Sequence, residues 1–204
     1  MAENAVPQRP GAAPAPLPLF VDGSPRAAQA AASEPVLEPA SGRTLAHVPL
    51  CGPADVDVAV RAAADAFAAW RAVPVMDRVQ VLFRYKALLE REQEALAASV
   101  SRENGKLLAD ARAEVRRGIE VVDFACGMPT LAQGRTLEGI ARGIDSHTWR
   151  VPVGVVAGIC PFNFPAMIPL WMFPIAVAAG NAFVLKPSER TPLTGLRLAE
   201  LMVE

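Results

Sequence analysis

The chain has 204 residues, room for one large domain or part of two, and its 52% hydrophobic fraction suffices for a sizeable core. A net charge of −1 and a pI near 6.2 carry no polyanion-binding bias, so nucleic acid is not an expected partner. Three widely separated cysteines, Cys51, Cys126 and Cys160, and two lone histidines, His47 and His147, make neither a disulfide framework nor a metal-ligand cluster. That usage fits a reduced compartment, and a cytoplasmic location with no bound metal is expected.

Residues 1–18 have no basic start and no continuous apolar run, which excludes a secretory signal; their Pro/Ala content reads as a flexible tail. Residues 19–22 followed by Gly23 read as a short strand and turn. Residues 36–48 read as two strands joined across residues 39–42. A first helix starts near Pro53, with Val56, Val60, Ala63, Phe67 and Trp70 along one face. A second follows Pro74, with Val79, Leu82, Phe83 and Leu89 inward; it breaks at or continues into residues 92–103, where Leu96 and Val100 point inward. Asn104-Gly105 is a strong stop, because both tolerate the left-handed conformation. A third helix over about 107–126 carries Leu108, Ala111, Val115, Ile119 and Val122 at helical spacing. Residues 134–145 read as loop and residues 147–151 as a strand.

The stretch 151–190 organises the rest. No charge occurs between Arg150 and Lys186, a gap of 35 positions, so a membrane span must be weighed. Prolines at 161, 165, 169 and 174 would interrupt any single helix of ~20 residues. The stretch divides instead into a buried strand over 153–159, a buried helix over 166–179 and a second buried strand over 182–185. Pro169 lies in the helix's first turn, Pro174 marks a kink, and Gly180-Asn181 ends it. Strand, helix and strand without a polar face describe a βαβ unit of a parallel sheet covered on both sides. Thr191-Pro192 then opens a last helix with Leu193, Leu196, Leu198 and Leu201 on its apolar face. That face meets no closing cap before residue 204, and an N-terminal fragment or truncated gene product is expected.

Open α/β sheets bind ligands at the carboxyl ends of their strands, and three groups fall there. Asn163, in Pro161-Phe-Asn-Phe-Pro165, presents an amide able to donate to a developing oxyanion; on spacing alone, satisfying loop backbone carries more weight. Lys186 and Glu189 flank Pro187-Ser188 and suit the vicinal hydroxyls of a ribose, with Glu189 repelling a 2′-phosphate. A solvated turn with Glu189 serving the next helix's N-terminus reads equally well. No GxGxxG fingerprint is present. Arg116 and Arg117 suit a solvated helix face or a clamp on a carboxylate. Cys160 has no evident His/Asp partner and reads as a small buried residue.

Five stretches together carry a resemblance: ENGK at 103–106, EVRRGIE at 114–120, GVVAGICPFNFP at 154–165, PLWMFP at 169–174 and LKPSERTP at 185–192. The sequence resembles the aldehyde dehydrogenase superfamily from about residue 19 to its last residue, and within it the CoA-acylating methylmalonate-semialdehyde branch. The resemblance implies an α/β fold with a partial Rossmann-like parallel sheet, N-terminal helices and an oligomerisation strand arm. It divides the chain into the tail at 1–18, N-terminal strands and helices of the cofactor domain at 19–134, the arm at 135–152 and the first βαβ(α) of the NAD domain at 153–204.

By that resemblance, Asn163 is the oxyanion-hole amide, and Lys186 and Glu189 hold the adenosine ribose of NAD. Ile159, Cys160, Phe162 and Arg190 lie against the cofactor, and Arg117 receives the substrate carboxylate. The implied reaction converts a semialdehyde, with NAD and CoA, to propionyl-CoA or acetyl-CoA with loss of CO₂, in a homo-oligomer of two or four chains. The nucleophilic cysteine of such enzymes would lie beyond residue 204, so these residues are expected to form half a site and to be inactive alone. Two other readings stay open: a non-acylating aldehyde dehydrogenase, told apart by a general-base glutamate in the second half, and a non-catalytic oligomerising partner of a longer subunit.

Overall fold

The computed structural model describes residues 16–204; the expected flexible tail lies, through residue 15, outside the described residues. The described residues begin with two antiparallel hairpins. β1 (Leu19–Val21) pairs with β2 (Ser24–Arg26), so the expected strand and turn is a complete hairpin closed at Asp22-Gly23. β3 (Ser33–Leu37) pairs with β4 (Thr44–Pro49), the two strands expected across residues 39–42, beginning three residues earlier. Their turn is closed by the N–H groups of Ser41 and Gly42 donating to the Glu38 carbonyl at 3.2 and 2.8 Å.

The helical layer follows as α1 (Pro53–Trp70), α2 (Val75–Arg91), α3 (Gln93–Asn104), α4 (Leu108–Cys126) and the single turn α5 (Met128–Leu131). Pro53 opens α1, where the missing N–H costs nothing. The apolar face expected of α1 is corrected by the structure: Val56 and Val60 are 56% and 41% exposed, while Asp55 is buried, its Oδ1 accepting the Gln29 N–H at 2.9 Å. Only the later part of that face, Ala63, Phe67 and Trp70, is partly covered. On α2, Phe83 is likewise exposed, and Tyr85 takes the core position instead. A phenol suits it because its hydroxyl reaches the Leu198 carbonyl at 3.0 Å. α3 stops where expected, on Gly105 at φ +85°, a left-handed cap available to glycine without a Cβ clash.

Residues 134–145 are not a loop. β5 (Thr136–Ala141) and β6 (Ile144–His147) form a hairpin turning at Arg142-Gly143. The expected strand at 147–151 accordingly ends at its first residue. The period-two signal was missing because neither face is buried: Leu137, Ile140 and Ile144 are all more than half exposed.

β7 (Val155–Ile159), α6 (Met167–Ala178) and β8 (Ala182–Lys186) form the expected βαβ unit, with parallel register from Val155↔Ala182 to Ile159↔Lys186. α7 (Pro192–Leu201) follows. The sheet is close to α6: a Cβ on Gly158 would lie 2.6 Å from Phe183 Cζ and 2.8 Å from Met172 Cε. Asn181 ties the unit's base, its Oδ1 accepting the N–H groups of Val153 and Gly154 at 2.7 and 3.1 Å. Cover on both faces is not realised, since Ile159 is 78% exposed and Gly158 is the one buried residue of β7. Two strands present too little sheet for full cover.

The core lies where α2, α3, α4, α6 and α7 converge, built from Tyr85, Leu89, Leu96, Val100, Val115, Ile119, Leu170, Phe173, Leu198 and Leu201. α4 and α6 meet at Gly118, where an added Cβ would sit 2.5 Å from Leu170 Cδ1. Arg78 closes the other end of α6, donating from Nε to the Ala178 carbonyl at 2.9 Å. Among the described residues, no helix is long and apolar enough to cross a membrane.

Candidate functional site

The parallel register ends at Ile159 and Lys186, and the residues singled out from the sequence gather just beyond those ends. Cys160 closes the ladder, its N–H donating to the Lys186 carbonyl at 3.0 Å. Phe162, Asn163 and Phe164 follow on one side, Glu189 and Arg190 on the other, and the Arg190 guanidinium lies 5.2 Å from the Phe162 ring centre. The two loops thus face a common rim.

Asn163 is exposed, and among the described residues its side-chain amide has no protein partner. The plainer role weighed for it, satisfying loop backbone, therefore does not describe this geometry. Other residues satisfy the loop. Asn104 Nδ2 donates to the Phe162 carbonyl at 2.8 Å, and Lys106 Nζ donates to the Asn163 carbonyl at 2.8 Å. The same ammonium sits 4.5 Å from the Phe164 ring centre and 2.5 Å from Glu114 Oε2. Glu114 Oε1 accepts the N–H groups of Ala166 and Met167 at 2.8 and 3.2 Å, so this buried carboxylate caps α6 where the loop becomes helix.

Glu189 Oε2 meets Lys186 Nζ at 2.8 Å, with both side chains about half exposed. The Lys186 ammonium is the main cause holding the Glu189 carboxyl below the usual carboxylate range. Glu189 does not serve the following helix. The N–H groups of Leu193 and Thr194 in the first turn of α7 go to Glu103, at 2.8 and 2.9 Å. Burial raises the Glu103 carboxyl above its ordinary value, opposed by those bonds and reinforced by the nearby charge of Glu114.

Burial pushes the Cys160 thiol up to about 11, only partly countered by Lys186, so at neutral pH it is a protonated packing group. Burial likewise raises Cys126, and Cys51, though exposed, is raised by partial desolvation and by the neighbouring Asp55 carboxylate. Arg117 is exposed on α4, one turn after Glu114. Its neighbour Arg116 pairs loosely with Glu120 at 3.8 Å, whereas Arg117 has no ion pair among the described residues. A groove of about 670 Å³ between the β1–β2 hairpin and α1 is lined by Asp22, Arg26 and Asp65 and includes none of these groups. The strand-end rim is open, and its chemistry, not its depth, marks it.

The roles of Glu103, Asn104, Lys106 and Glu114 were not read from the sequence, though a signal for two of them was present. Glu103 falls three residues after Val100, and Glu114 three after Ala111, so both carboxylates occupy apolar-stripe positions. A charge there must be paired or hydrogen-bonded, as both are.

A family model described as the aldehyde dehydrogenase family matches residues 26–204. A malonate-semialdehyde dehydrogenase of Bacillus licheniformis is 56% identical over 174 residues, which are 85% of this chain and 36% of that protein. A Sinorhizobium meliloti 1021 protein described as a methylmalonate-semialdehyde dehydrogenase, solved in complex with NAD, superposes with a TM-score of 0.90 at 42% identity, over 95% of this chain and 39% of that one. The methylmalonate-semialdehyde dehydrogenase of Oceanimonas doudoroffii gives a TM-score of 0.88, also at 42% identity, over 92% of this chain and 38% of that one. This chain thus spans little more than a third of the length of these relatives. With a family model covering nearly all of the described residues and the fold shared throughout, the chain belongs to the aldehyde dehydrogenase family.

Proposed function

We propose that these residues form the cofactor-binding and oxyanion side of the active site of an NAD-dependent, CoA-acylating malonate- or methylmalonate-semialdehyde dehydrogenase. One observation carries the reading: the Lys186–Glu189 pair and the Asn163 amide, which has no protein partner among the described residues, sit at the carboxyl ends of adjacent parallel strands. NAD, when bound, supplies the two-electron oxidant for the aldehyde. The residues fit it. Glu189 commits Oε2 to Lys186 and keeps acceptor capacity for a ribose hydroxyl, while Ile159, Phe162 and Arg190 offer exposed apolar and cationic surface beside it. Cys160 borders the cofactor as a packing group. Asn163 donates its amide to the oxygen of the aldehyde as negative charge develops there, needing no change of protonation. Arg117, exposed and without an ion pair among the described residues, receives the substrate carboxylate.

The overall conversion is semialdehyde, CoA and NAD to acyl-CoA, CO₂ and NADH, giving acetyl-CoA from malonate semialdehyde and propionyl-CoA from its methyl homologue. Residues 19–134 and 153–204 contribute to the cofactor domain. Residues 135–152 act as an arm between copies in a homo-oligomer, a role supported by the exposed apolar side chains Leu137, Ile140, Ile144, Trp149 and Val151. Three unpaired cysteines support a cytoplasmic setting. These 204 residues alone turn over no aldehyde, because none of Cys51, Cys126 and Cys160 is held as a thiolate.

The test is to follow NADH and acyl-CoA from malonate semialdehyde with and without CoA, in the active polypeptide containing this stretch. Equimolar NADH and acetyl-CoA are expected. NADH with free acid, independent of CoA, would place the enzyme in the hydrolytic branch. NADH formation by the purified 204-residue chain, abolished by Cys160→Ala, would overturn the assignment of the nucleophile.

A further inference from the structure

The end of α3 and the turn after it lie far along the chain from both rim loops, yet they hold the first of these loops and the helix that follows the second. Glu103, Asn104 and Lys106 are separated from residues 162–163 by nearly sixty positions and from residues 193–194 by about ninety. Each makes a polar contact that a packing residue has no need of. Asn104 holds the carbonyl before Asn163, Lys106 holds the carbonyl of Asn163 itself, and Glu103 holds the start of α7. Lys106 is in turn fixed by a carboxylate whose side chain is 1% exposed. The clamp is anchored at its buried end, where Glu114 both pairs with Lys106 and accepts the first N–H groups of α6, so moving one member costs another its partner.

We infer that Asn104 and Lys106 are positioning residues for the Asn163 amide: they clamp the two peptide carbonyls flanking its Cα and so fix where its side chain emerges. The inference rests on the proposed oxyanion role of Asn163 and deepens it. Backbone clamping matters here because the Asn163 side chain has no protein partner of its own to orient it among the described residues. The carbonyls on either side are what remain to hold it. The Glu114 carboxylate serves the clamp twice, orienting Lys106 through one oxygen and fixing the start of α6 through the other.

The test is a double-mutant cycle in the active polypeptide containing this stretch, reading kcat/KM for malonate semialdehyde and KM for NAD. Lys106→Met alone would strand the buried Glu114 charge, so it is paired with Glu114→Gln, which keeps an oxygen for the α6 N–H groups. Asn104→Ala serves as a second variant that buries no charge. Asn163→Ala should lower kcat/KM by about 10²–10³-fold, the usual cost of one oxyanion donor. Asn104→Ala and Lys106→Met/Glu114→Gln should each lower it by roughly 10-fold or more, since a misplacement of ~1 Å can cost up to ~10². KM for NAD should change by a smaller factor than kcat/KM, as neither clamp touches Lys186 or Glu189 and Asn104 reaches the cofactor-facing Phe162 only at its backbone carbonyl. In the Asn163→Ala background the clamp variants should cost less than about twofold further, because their effect runs through the missing amide. Full additivity in that background would overturn the inference and assign the clamp a structural role. Parent-like kcat/KM for Asn104→Ala beside a crippled Asn163→Ala would overturn it too, while leaving the proposed function intact. A parent-like Asn163→Ala would instead remove the oxyanion role, and the clamp with it.

Discussion

Replacing Glu189 with Gln separates a cofactor-reading carboxylate from an ordinary surface ion pair. In the free chain the pair with Lys186 is half exposed, so by itself it contributes little to stability, of order 0–1 kcal/mol. Bound to a ribose, the carboxylate would accept hydroxyl donors in charge-assisted bonds of about 1.5–3 kcal/mol each, with the exposure favouring the lower end. An amide retains one acceptor atom and no charge, so the expected loss in NAD affinity is ~1–2 kcal/mol, roughly 5–30-fold. For NADP the sign reverses. A 2′-phosphate within about 4 Å of a carboxylate at a protein surface meets a repulsion of ~1–4 kcal/mol per charge pair, which the substitution removes. It also releases Lys186 Nζ from its 2.8 Å contact to meet the phosphate. The NAD-over-NADP preference should therefore narrow by at least ~10-fold, while Lys186→Ala weakens both cofactors. Apparent KM or dissociation constants for both cofactors, in parent and variants, decide the matter. An NAD/NADP ratio unchanged within about twofold would refute the argument and return Glu189 to a solvated turn.

Gly118→Ala should destabilise the fold despite improving helix propensity by about 1 kcal/mol. The new Cβ would lie 3.1 Å from Leu170 Cβ, which no rotamer change can move, so an overpacking cost of ~1–3 kcal/mol outweighs the gain. A higher urea midpoint for the variant would refute that balance. Glu103, whose folded carboxyl is raised by burial, contributes stability that is fully present below the ordinary value of 4.5 and is lost as pH rises through the folded value. Glu103→Gln should remove that component, so the Tm difference between variant and parent should shift in the variant's favour on going from acid to neutral pH; a pH-independent difference would contradict it. A thiol reagent should label exposed Cys51 first in the native chain, with Cys126 and Cys160 reacting only on unfolding. Rapid labelling of Cys160 would show a thiolate that its burial does not allow.

Much of this was legible in the residues because its cause is local. The β-branched run before Pro161, the apolar run between Ala166 and Ala179, and the Gly180-Asn181 stop specify a βαβ unit through chain periodicity and backbone freedom alone. That unit, by the general topology of parallel sheets, puts Asn163, Lys186 and Glu189 at the strand ends from the sequence alone. Gly105 ended α3 for an equally local reason.

What escaped the sequence depends on contacts between distant segments. The β5–β6 hairpin carries no alternating signal because neither of its faces is buried within this chain. Val56, Val60 and Phe83 lie on or beside apolar stripes whose partners are not in contact with them, and periodicity cannot say whether a face is covered. The choice between Glu189 and Glu103 as the α7 cap, and the attachment of Asn104 and Lys106 to the Asn163 loop, were decided only by the tertiary structure. A hydrogen bond across some sixty or ninety residues leaves no trace in local spacing. It exists because the packing of α3 and α4 on α6 and α7 brings a buried carboxylate to each helix start, where unpaired N–H groups require one.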